Sequence, residues 1–272
     1  MGIFTRLKTG WSLARDSLRV LRHHPDLLAF PLVGGIAGLV YVGLLMGGAV
    51  LLTGPEPGPL MYAVLFVLYL GSTFIAVFFT AGLTYNVRET FEGREPTFRG
   101  GLAAAWDHRR PLFVWAVIAA IVGVILRAIE GADNPLADLA AAIFSVAWGI
   151  LTYFVVPVIV FEDVGARGMI ERSGETFKNT WGETAGAGFG VGIITVLFGL
   201  VGLALAALVF VLLGSTAVGL FGAIAVALVT VLFAALVGSA LSSIAKTALY
   251  VYATEGKQPS EFEDVDFSRP AR

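Results

Sequence analysis

The chain has 272 residues, of which 57% are hydrophobic and only 14% are charged, and its mean hydropathy is +0.84. Soluble domains carry about 25% charged residues, so the surplus of apolar side chains here must face lipid. This composition excludes an intrinsically disordered chain, and the lack of cysteine excludes a disulfide scaffold and a cysteine-based zinc finger. The formal net charge of −2 points to no class of partner.

Six apolar runs are each long enough to cross a bilayer as a helix, which takes about 20 residues. Three short links alternate with long polar ones and pair the runs into hairpins. The sequence therefore predicts an all-α polytopic membrane protein: a basic amphipathic helix at 1–24, a six-helix transmembrane domain at 25–254 and an acidic cytoplasmic tail at 255–272. The predicted spans cover residues 27–52, 60–85, 111–128, 136–161, 186–213 and 217–252.

The positions of lysine and arginine predict the orientation, because these residues are retained on the cytoplasmic side. All but Arg127 and Lys246 lie in segments that share one side of the membrane. We expect a multi-pass protein of the cell membrane with both termini in the cytoplasm and an uncleaved first span. The residues that carry this bias are Arg6, Lys8, Arg15, Arg19, Arg22, Arg88, Arg94, Arg99, Arg109, Arg110, Arg167, Arg172, Lys178, Lys257, Arg269 and Arg272.

The N-terminal segment has the pattern of a basic amphipathic helix. Its apolar residues recur at spacings of three and four, and arginine and lysine cover the rest of the surface. Such a helix binds the lipid bilayer in the interfacial plane, with its cations on anionic lipid head groups. Docking of the helix on the ends of the bundle is the alternative. The predicted apolar face consists of Phe4, Leu7, Trp11, Ala14, Leu18 and Leu21.

Each hairpin is preceded by a similar polar helix, predicted at residues 18–25, 102–111 and 176–183, and is followed by aromatic residues, an acid and a glycine. The three units share one orientation, so they predict a pseudo-three-fold parallel repeat about an axis along the membrane normal. Similar chemistry at helix entries, without duplication, would give the same pattern.

Small residues and prolines mark special places in the spans. Glycines recur at four-residue spacing, which lets helices approach closely within the bundle or across a homo-oligomer. Pro31 and Pro157 predict kinks, and a binding site at a broken helix is the sharper interpretation of each. The glycine pairs and triplet are Gly34 and Gly38, Gly43 and Gly47, Gly182 with Gly186 and Gly190, and Gly188 with Gly192.

The sequence contains no recognisable catalytic, cofactor or metal motif. His23, His24 and His108 have no metal-ligand spacing, and Ser145 and Ser173 lack a nucleophile elbow. Lys246 is the one cation inside an apolar run, but it lies about 13 Å beyond the hydrocarbon core and fits an interfacial lysine. We therefore predict no enzyme, no cofactor, no metal and no nucleic-acid partner.

Four stretches of the sequence are similar to one known family: RVLRHHPDLLAFPL, WAVIAAIVGVILRAIE, AWGILTYFVVPVIVFEDVGARGMIERS and KNTWGETAGAGFGVG. They resemble an uncharacterised family of six-span membrane proteins of archaea and bacteria, known only as a domain of unknown function, and the likeness covers residues from about 10 to 260. It implies the six-helix topology but no activity. Its blocks, with Lys246 added from the last span, give a candidate functional cluster of Pro157, Glu162, Arg172, Ser173, Trp181, Gly182 and Lys246.

Two functions fit the sequence. The first is a non-enzymatic structural or accessory membrane module, which recruits a membrane partner protein through its cytoplasmic helices and tail and has a closed bundle. The alternative is a transporter or permease-like protein with a cavity that opens to the cytoplasm. Polar residues in the inner halves of the spans motivate the second function; they are Thr80, Thr84, Asn86, Thr152, Ser239, Ser242, Ser243 and Lys246.

Overall fold

The predicted spans are helical in the computed structural model, which describes residues 3–53, 59–130, 134–214 and 216–256 together with residues 259 and 262. No strand is found within these ranges. The helices are α1 (Ile3–His23), a short 3-10 helix (Pro25–Leu28), α2 (Ala29–Thr53), α3 (Pro59–Phe91), α4 (Phe98–Asp107), α5 (Arg109–Glu130), α6 (Pro135–Thr152), α7 (Val155–Phe161), α8 (Ala166–Asn179), α9 (Trp181–Leu213) and α10 (Ala217–Glu255).

Six helical segments of the described chain are long and apolar enough to cross a membrane, which confirms the predicted number of spans. A bilayer satisfies no backbone hydrogen bonds, so continuous helices are the expected solution for these runs. The protein is therefore an all-helical, multi-pass membrane protein. The segments are Pro25–Leu51, Ala63–Phe91, Arg109–Ile129, Pro135–Phe161, Gly190–Leu213 and Ala217–Glu255.

The described residues fold as two compact units. The central unit comprises residues 29–179 and holds α2 to α8. Its tightest helix crossing joins α3 to α4, where a Cβ atom added to Gly101 would lie 2.7 Å from the carbonyl oxygen of Gly82 and 2.4 Å from the Phe30 ring. Only glycine fits at such a backbone contact.

In the central unit, α3 packs against α2 and against α5. The Tyr41 hydroxyl donates a hydrogen bond to the Val67 carbonyl oxygen at 2.5 Å, and Gly34 faces the Phe79 side chain. Phe74 of α3 and Phe113 of α5 meet edge to face with 5.8 Å between ring centroids. Aromatic contacts of this geometry add to the stabilisation that area burial gives.

The terminal unit combines residues 1–28 with residues 180–272 and holds α1, the 3-10 helix, α9 and α10. In the turn between α9 and α10, Gly214 has a positive φ of 70° and the Thr216 hydroxyl caps α10 by accepting from the Gly219 amide at 3.1 Å. Close packing along this hairpin places Gly202 against Thr230 and Gly238 against Thr195.

Only part of the predicted apolar face of α1 is buried: Ala14 and Leu21 are buried, in agreement with the prediction. Trp11 is 45% exposed and Leu18 is only half-buried, whereas Leu13, Val20 and even the Asp16 side chain are buried. The spacing of apolar residues predicted only part of the buried face, because α1 packs against α9 and α10 and buries the ion-paired Asp16 as well. The side chains of Phe4 and Leu7 lie outside those described. Docking of α1 on the spans, the alternative in the sequence analysis, is therefore seen.

Two other boundaries also differ from the predictions. The third polar helix is α8 at Ala166–Asn179, not residues 176–183, because the chain leaves the helix at Thr180. The fourth span is broken into α6 and α7. Most of the tail lies outside the described residues, but Phe262 is buried. The three-fold repeat stays a prediction.

The predicted small-residue packing is found at some glycines only. Gly190 packs against the Gly10 backbone, and Gly34 against Phe79, as expected for close helix approach. Gly38, Gly43, Gly47, Gly188 and Gly192 face open space within the described chain. The surroundings of Gly182 and Gly186 lie outside the part of the structure that is described. The backbone contact between Gly82 and Gly101 was not among the predicted pairs.

Candidate functional site

The fourth span breaks one turn before Pro157. Proline lacks the amide hydrogen that would bond to Tyr153, and its ring crowds that carbonyl group. The backbone accordingly leaves the helix at Phe154, with φ −103° and ψ 11°, and the Tyr153 amide bonds at 3.4 Å to the Ile150 oxygen three residues back. The kink predicted at Pro157 is confirmed, and it is sharp enough to end α6 and begin α7.

Ser173 of α8 repairs the broken backbone. Its hydroxyl oxygen accepts a hydrogen bond from the Phe154 amide at 2.9 Å, and both residues are fully buried. A buried amide without an acceptor costs about 1–3 kcal/mol, so this contact fixes α8 at the break. Two residues that the sequence predicted separately, Pro157 and Ser173, thus act on the same break.

Aromatic rings fill the space between the break and α8. Tyr153 and Phe154 meet at 4.8 Å between centroids, and Phe177 of α8 lies 5.6 Å from Tyr153 and 6.5 Å from Phe154. Met169 is buried on the same face of α8. The break is therefore enclosed by apolar side chains on this side.

An ion-pair cluster closes the end of α7. Arg172 contacts Glu162 with two nitrogens, Nε to Oε2 at 2.8 Å and Nη2 to Oε1 at 3.1 Å, and reaches Glu175 Oε2 at 3.1 Å. The hydrogen bonds that Arg172 donates to Glu162 and then to Glu175 raise the pKa of its guanidinium above the ordinary value. The arginine stays charged and its fork geometry pins α8 to the chain that leaves α7.

A second cluster ties α3 to α7. The Arg88 guanidinium lies 4.7 Å from the centre of the Phe161 ring, a cation–π contact, and its Nε donates to Glu92 at 2.9 Å. This hydrogen bond, together with Arg94, lowers the pKa of the Glu92 carboxyl. A lowered carboxyl pKa adds stability at neutral pH that is lost as the pH falls through it. The C-terminal ends of α3 and α7 are thus joined to each other and, through Glu162 and Arg172, to α8.

The structure brings together four of the seven candidate residues. Pro157, Glu162, Arg172 and Ser173 all lie in the central unit, around the break and the end of α7. Trp181 begins α9, but its side chain and the surroundings of Gly182 lie outside those described. Lys246 belongs to the terminal unit, where it is half-buried on α10.

The other polar residues that the sequence analysis assigned to the inner halves of the spans also divide between the units. Thr80, Thr84, Asn86 and Thr152 lie in the central unit, and the serines of the set lie on α10 with Lys246. Within the described chain, no group of three or more histidine, cysteine, aspartate or glutamate residues is arranged to hold a metal ion.

Comparison with known proteins places this site within a family. A family model described as a family of unknown function, DUF6159, matches residues 60–260, which include α3 to α10 and the whole site. The chain belongs to DUF6159. No curated protein and no solved structure matches it.

In this DUF6159 protein, sequence reasoning missed several residues of the site. Phe154 and Arg88 were not predicted to take part, because each acts on a partner far away in the sequence. The sequence held a weak signal for a contact here, since each hairpin ends on aromatic residues followed by an acid, and an arginine can lie over such a ring. The cation–π contact uses such an aromatic residue, Phe161.

The hydrogen bond of Ser173 gives the first testable prediction. Ser173→Ala leaves the buried Phe154 amide without this acceptor, and we expect it to lower the free energy of unfolding by about 1–3 kcal/mol. The matched control is Ser145→Ala, because Ser145 is exposed on α6. Thermal unfolding of both variants in detergent, followed by tryptophan fluorescence, measures the difference. Equal midpoints for the two variants would contradict the role given to Ser173.

Proposed function

We propose that this protein is a non-enzymatic structural or accessory module of the membrane. The observation that carries the proposal is the arrangement of four residues of the candidate cluster: Pro157 breaks the fourth span, Ser173 accepts from the buried Phe154 amide, and Arg172 binds Glu162. Ser173 and Arg172 each fasten α8 to the broken fourth span. A serine hydroxyl held as a buried acceptor and an arginine held by two carboxylates suit a fixed framework.

Hydroxyl groups in the inner halves of the spans support the same proposal. Thr80 donates to the Ala76 carbonyl oxygen at 2.8 Å and Thr152 to that of Trp148 at 2.7 Å. In the terminal unit, Thr247 donates to the Ser243 carbonyl oxygen at 2.8 Å. Threonine hydroxyls that bond to their own helix are satisfied without water or substrate.

Tight packing between spans of the central unit points in the same direction. The Trp115 ring of α5 stacks on Trp148 of α6, with 5.7 Å between centroids and 16° between the planes. Rings in such contact leave little room for a water-filled path between these two helices. In this proposal, the outward faces of the polar helices and the acidic tail contact a membrane partner protein or a second copy.

One observation favours the transporter alternative. The side-chain oxygen of Asn86 is buried on α3 without a hydrogen-bond partner in the described part of the chain, although its nitrogen donates to the Thr97 carbonyl oxygen at 2.9 Å. A buried amide oxygen of this kind costs free energy unless water or a ligand reaches it. A cavity for a polar substrate would account for it.

Water access to the inner halves distinguishes the two functions. The chain contains no cysteine, so single cysteines can be introduced without a background. Only a thiolate in water reacts with a charged, membrane-impermeant methanethiosulfonate, applied to both faces of native vesicles. The test positions are Thr84→Cys, which is buried, and Thr152→Cys, which is half-buried.

We expect both test positions to react at about a tenth or less of the rate of an exposed thiol, because ionisation of the thiol needs water. Glu171→Cys, exposed on α8, is the reactive control, and Leu208→Cys, 52% exposed on an apolar span, is the lipid-facing control. Labelling of Thr84→Cys and Thr152→Cys at a rate near that of Glu171→Cys would favour the transporter instead.

A further inference from the structure

The way in which α1 docks leaves one of its faces exposed to the surroundings of the terminal unit. Leu13, Ala14 and Leu21 are buried in the terminal unit, where α1 packs against α9 and α10. These three apolar side chains of α1 therefore pack inside the terminal unit. What faces outward is Trp11, 45% exposed, with Arg15 and Arg19, whose side chains are 53% and 46% exposed.

The contact with α9 gives the depth of this face in the membrane. A Cβ atom on Gly190 would lie 2.2 Å from the Gly10 oxygen, so α1 crosses α9 next to Trp11. Gly190 precedes Leu213, the last residue of the span, by 23 residues. At 1.5 Å per residue this is about 35 Å, against a hydrocarbon core of about 30 Å. The crossing thus lies at head-group level, where tryptophan is favoured.

The charge on α1 is strongly one-sided. The helix contains five lysine or arginine residues and one acid, Asp16, which gives a net charge of +4. Asp16 is buried, and its Oδ1 lies 3.7 Å from Nε of Arg15 and 3.4 Å from Nη1 of Arg19. On α8, the two arginines lie beside three glutamates: Arg167 pairs with Glu171, and Arg172 with Glu162 and Glu175.

We infer that the outward face of α1, formed by Trp11, Arg15, Arg19 and Arg22, is a binding surface for the phosphate-bearing head groups of anionic phospholipids. Cations at head-group depth are attracted to such lipids, and an indole beside them anchors at the same level. The mode differs from that of a free amphipathic helix, because Leu13, Ala14 and Leu21 are buried in the terminal unit and do not enter the acyl chains. The inferred lipid-binding surface does not depend on whether the protein is a structural module or a transporter.

Quenching of Trp11 fluorescence by brominated lipid tests this surface. The full chain is placed in nanodiscs of phosphatidylcholine with a fixed fraction of dibrominated phosphatidylglycerol, or the same fraction of dibrominated phosphatidylcholine. The Trp11→Phe protein gives the background of the other tryptophans. We expect the Trp11 signal to be quenched about threefold more by the anionic lipid, since cations concentrate it locally.

Variants of α1 and α8 show whether the arginines cause this preference. Arg15→Gln with Arg22→Gln removes two charges and keeps the closer pair of Arg19 with Asp16; we expect equal quenching by the two lipids. Arg167→Gln with Lys178→Gln removes two charges from α8, and the preference should persist. Equal quenching in the unaltered protein, or a preference that survives the α1 variant, would overturn the inference.

Two further measurements on the unaltered protein keep the test decisive if a variant fails to fold. The preference should fall as potassium chloride is added, because head-group electrostatics are screened by salt. Inorganic phosphate at matched ionic strength should have no larger effect than chloride. Loss of the preference with phosphate alone would identify a site for a free anion, and a preference insensitive to salt would exclude the electrostatic surface; either result would refute the proposal.

Discussion

Gly101→Leu should separate α4 from α3 and lower the free energy of unfolding by about 3 kcal/mol, because overpacking at a rigid contact has costs of this order. A Cβ atom at Gly101 would lie 2.7 Å from the Gly82 carbonyl oxygen, which is backbone and cannot rotate away. The Phe30 ring, 2.4 Å from the same position, closes the other side. The crossing can accept a side chain only if one helix moves.

Gly149→Leu is the control for this variant, because nothing lies within 4 Å of a Cβ atom at Gly149. Leucine is a better helix former than glycine by up to about 1 kcal/mol, so the control should be neutral or slightly stabilising. Thermal unfolding in detergent, followed by size-exclusion chromatography, gives both midpoints. If Gly101→Leu matches Gly149→Leu in stability, the packing of α3 on α4 described above is wrong.

Gly190→Leu should release α1 from α9. The added Cβ atom would meet the Gly10 oxygen at 2.2 Å and Ala14 at 3.0 Å, so the two helices cannot keep their distance. The arginines of α1 are sites for trypsin, which cleaves a helix only when it opens locally. We expect cleavage in α1 to become about tenfold faster or more, as a loss of about 1.4 kcal/mol in the docking of the helix would give.

The neighbouring Gly192→Leu variant is the control, since Gly192 faces open space on α9. Its α1 should be cut at the rate of the unaltered protein. Both proteins are digested in the same detergent, and the fragments are identified by mass. Equal cleavage of the two variants would show that α1 does not depend on the contact between Gly10 and Gly190.

Hydropathy was enough to predict the spans, because the requirement for about 20 apolar residues is local. The break in the fourth span was predictable in part for the same reason, since Pro157 disrupts the turn before it. The acceptor that makes the break tolerable was not predictable: Ser173 lies 19 residues after Phe154, on another helix. Nothing in the sequence pairs them.

The amphipathic helix at the N-terminus shows a second limit of periodicity. The spacing of apolar residues placed Trp11 on the buried face, but α1 buries Asp16 and Ser17 and leaves Trp11 half-exposed. The close approach at Gly10 selects which face of α1 meets α9. That selection depends on a glycine 180 residues away, Gly190, and no pattern within α1 encodes it.

The central claim is that four residues of the candidate cluster, Pro157, Glu162, Arg172 and Ser173, form a fixed joint between α7 and α8. An experimental structure of the protein in lipid nanodiscs tests it most directly. We expect the Ser173 hydroxyl within hydrogen-bond distance of the Phe154 amide, as it is here at 2.9 Å, with Arg172 on Glu162 and continuous side-chain density between the break and α8. Non-protein density between Ser173 and Phe154, or a water-filled cavity reaching the break, would contradict the claim.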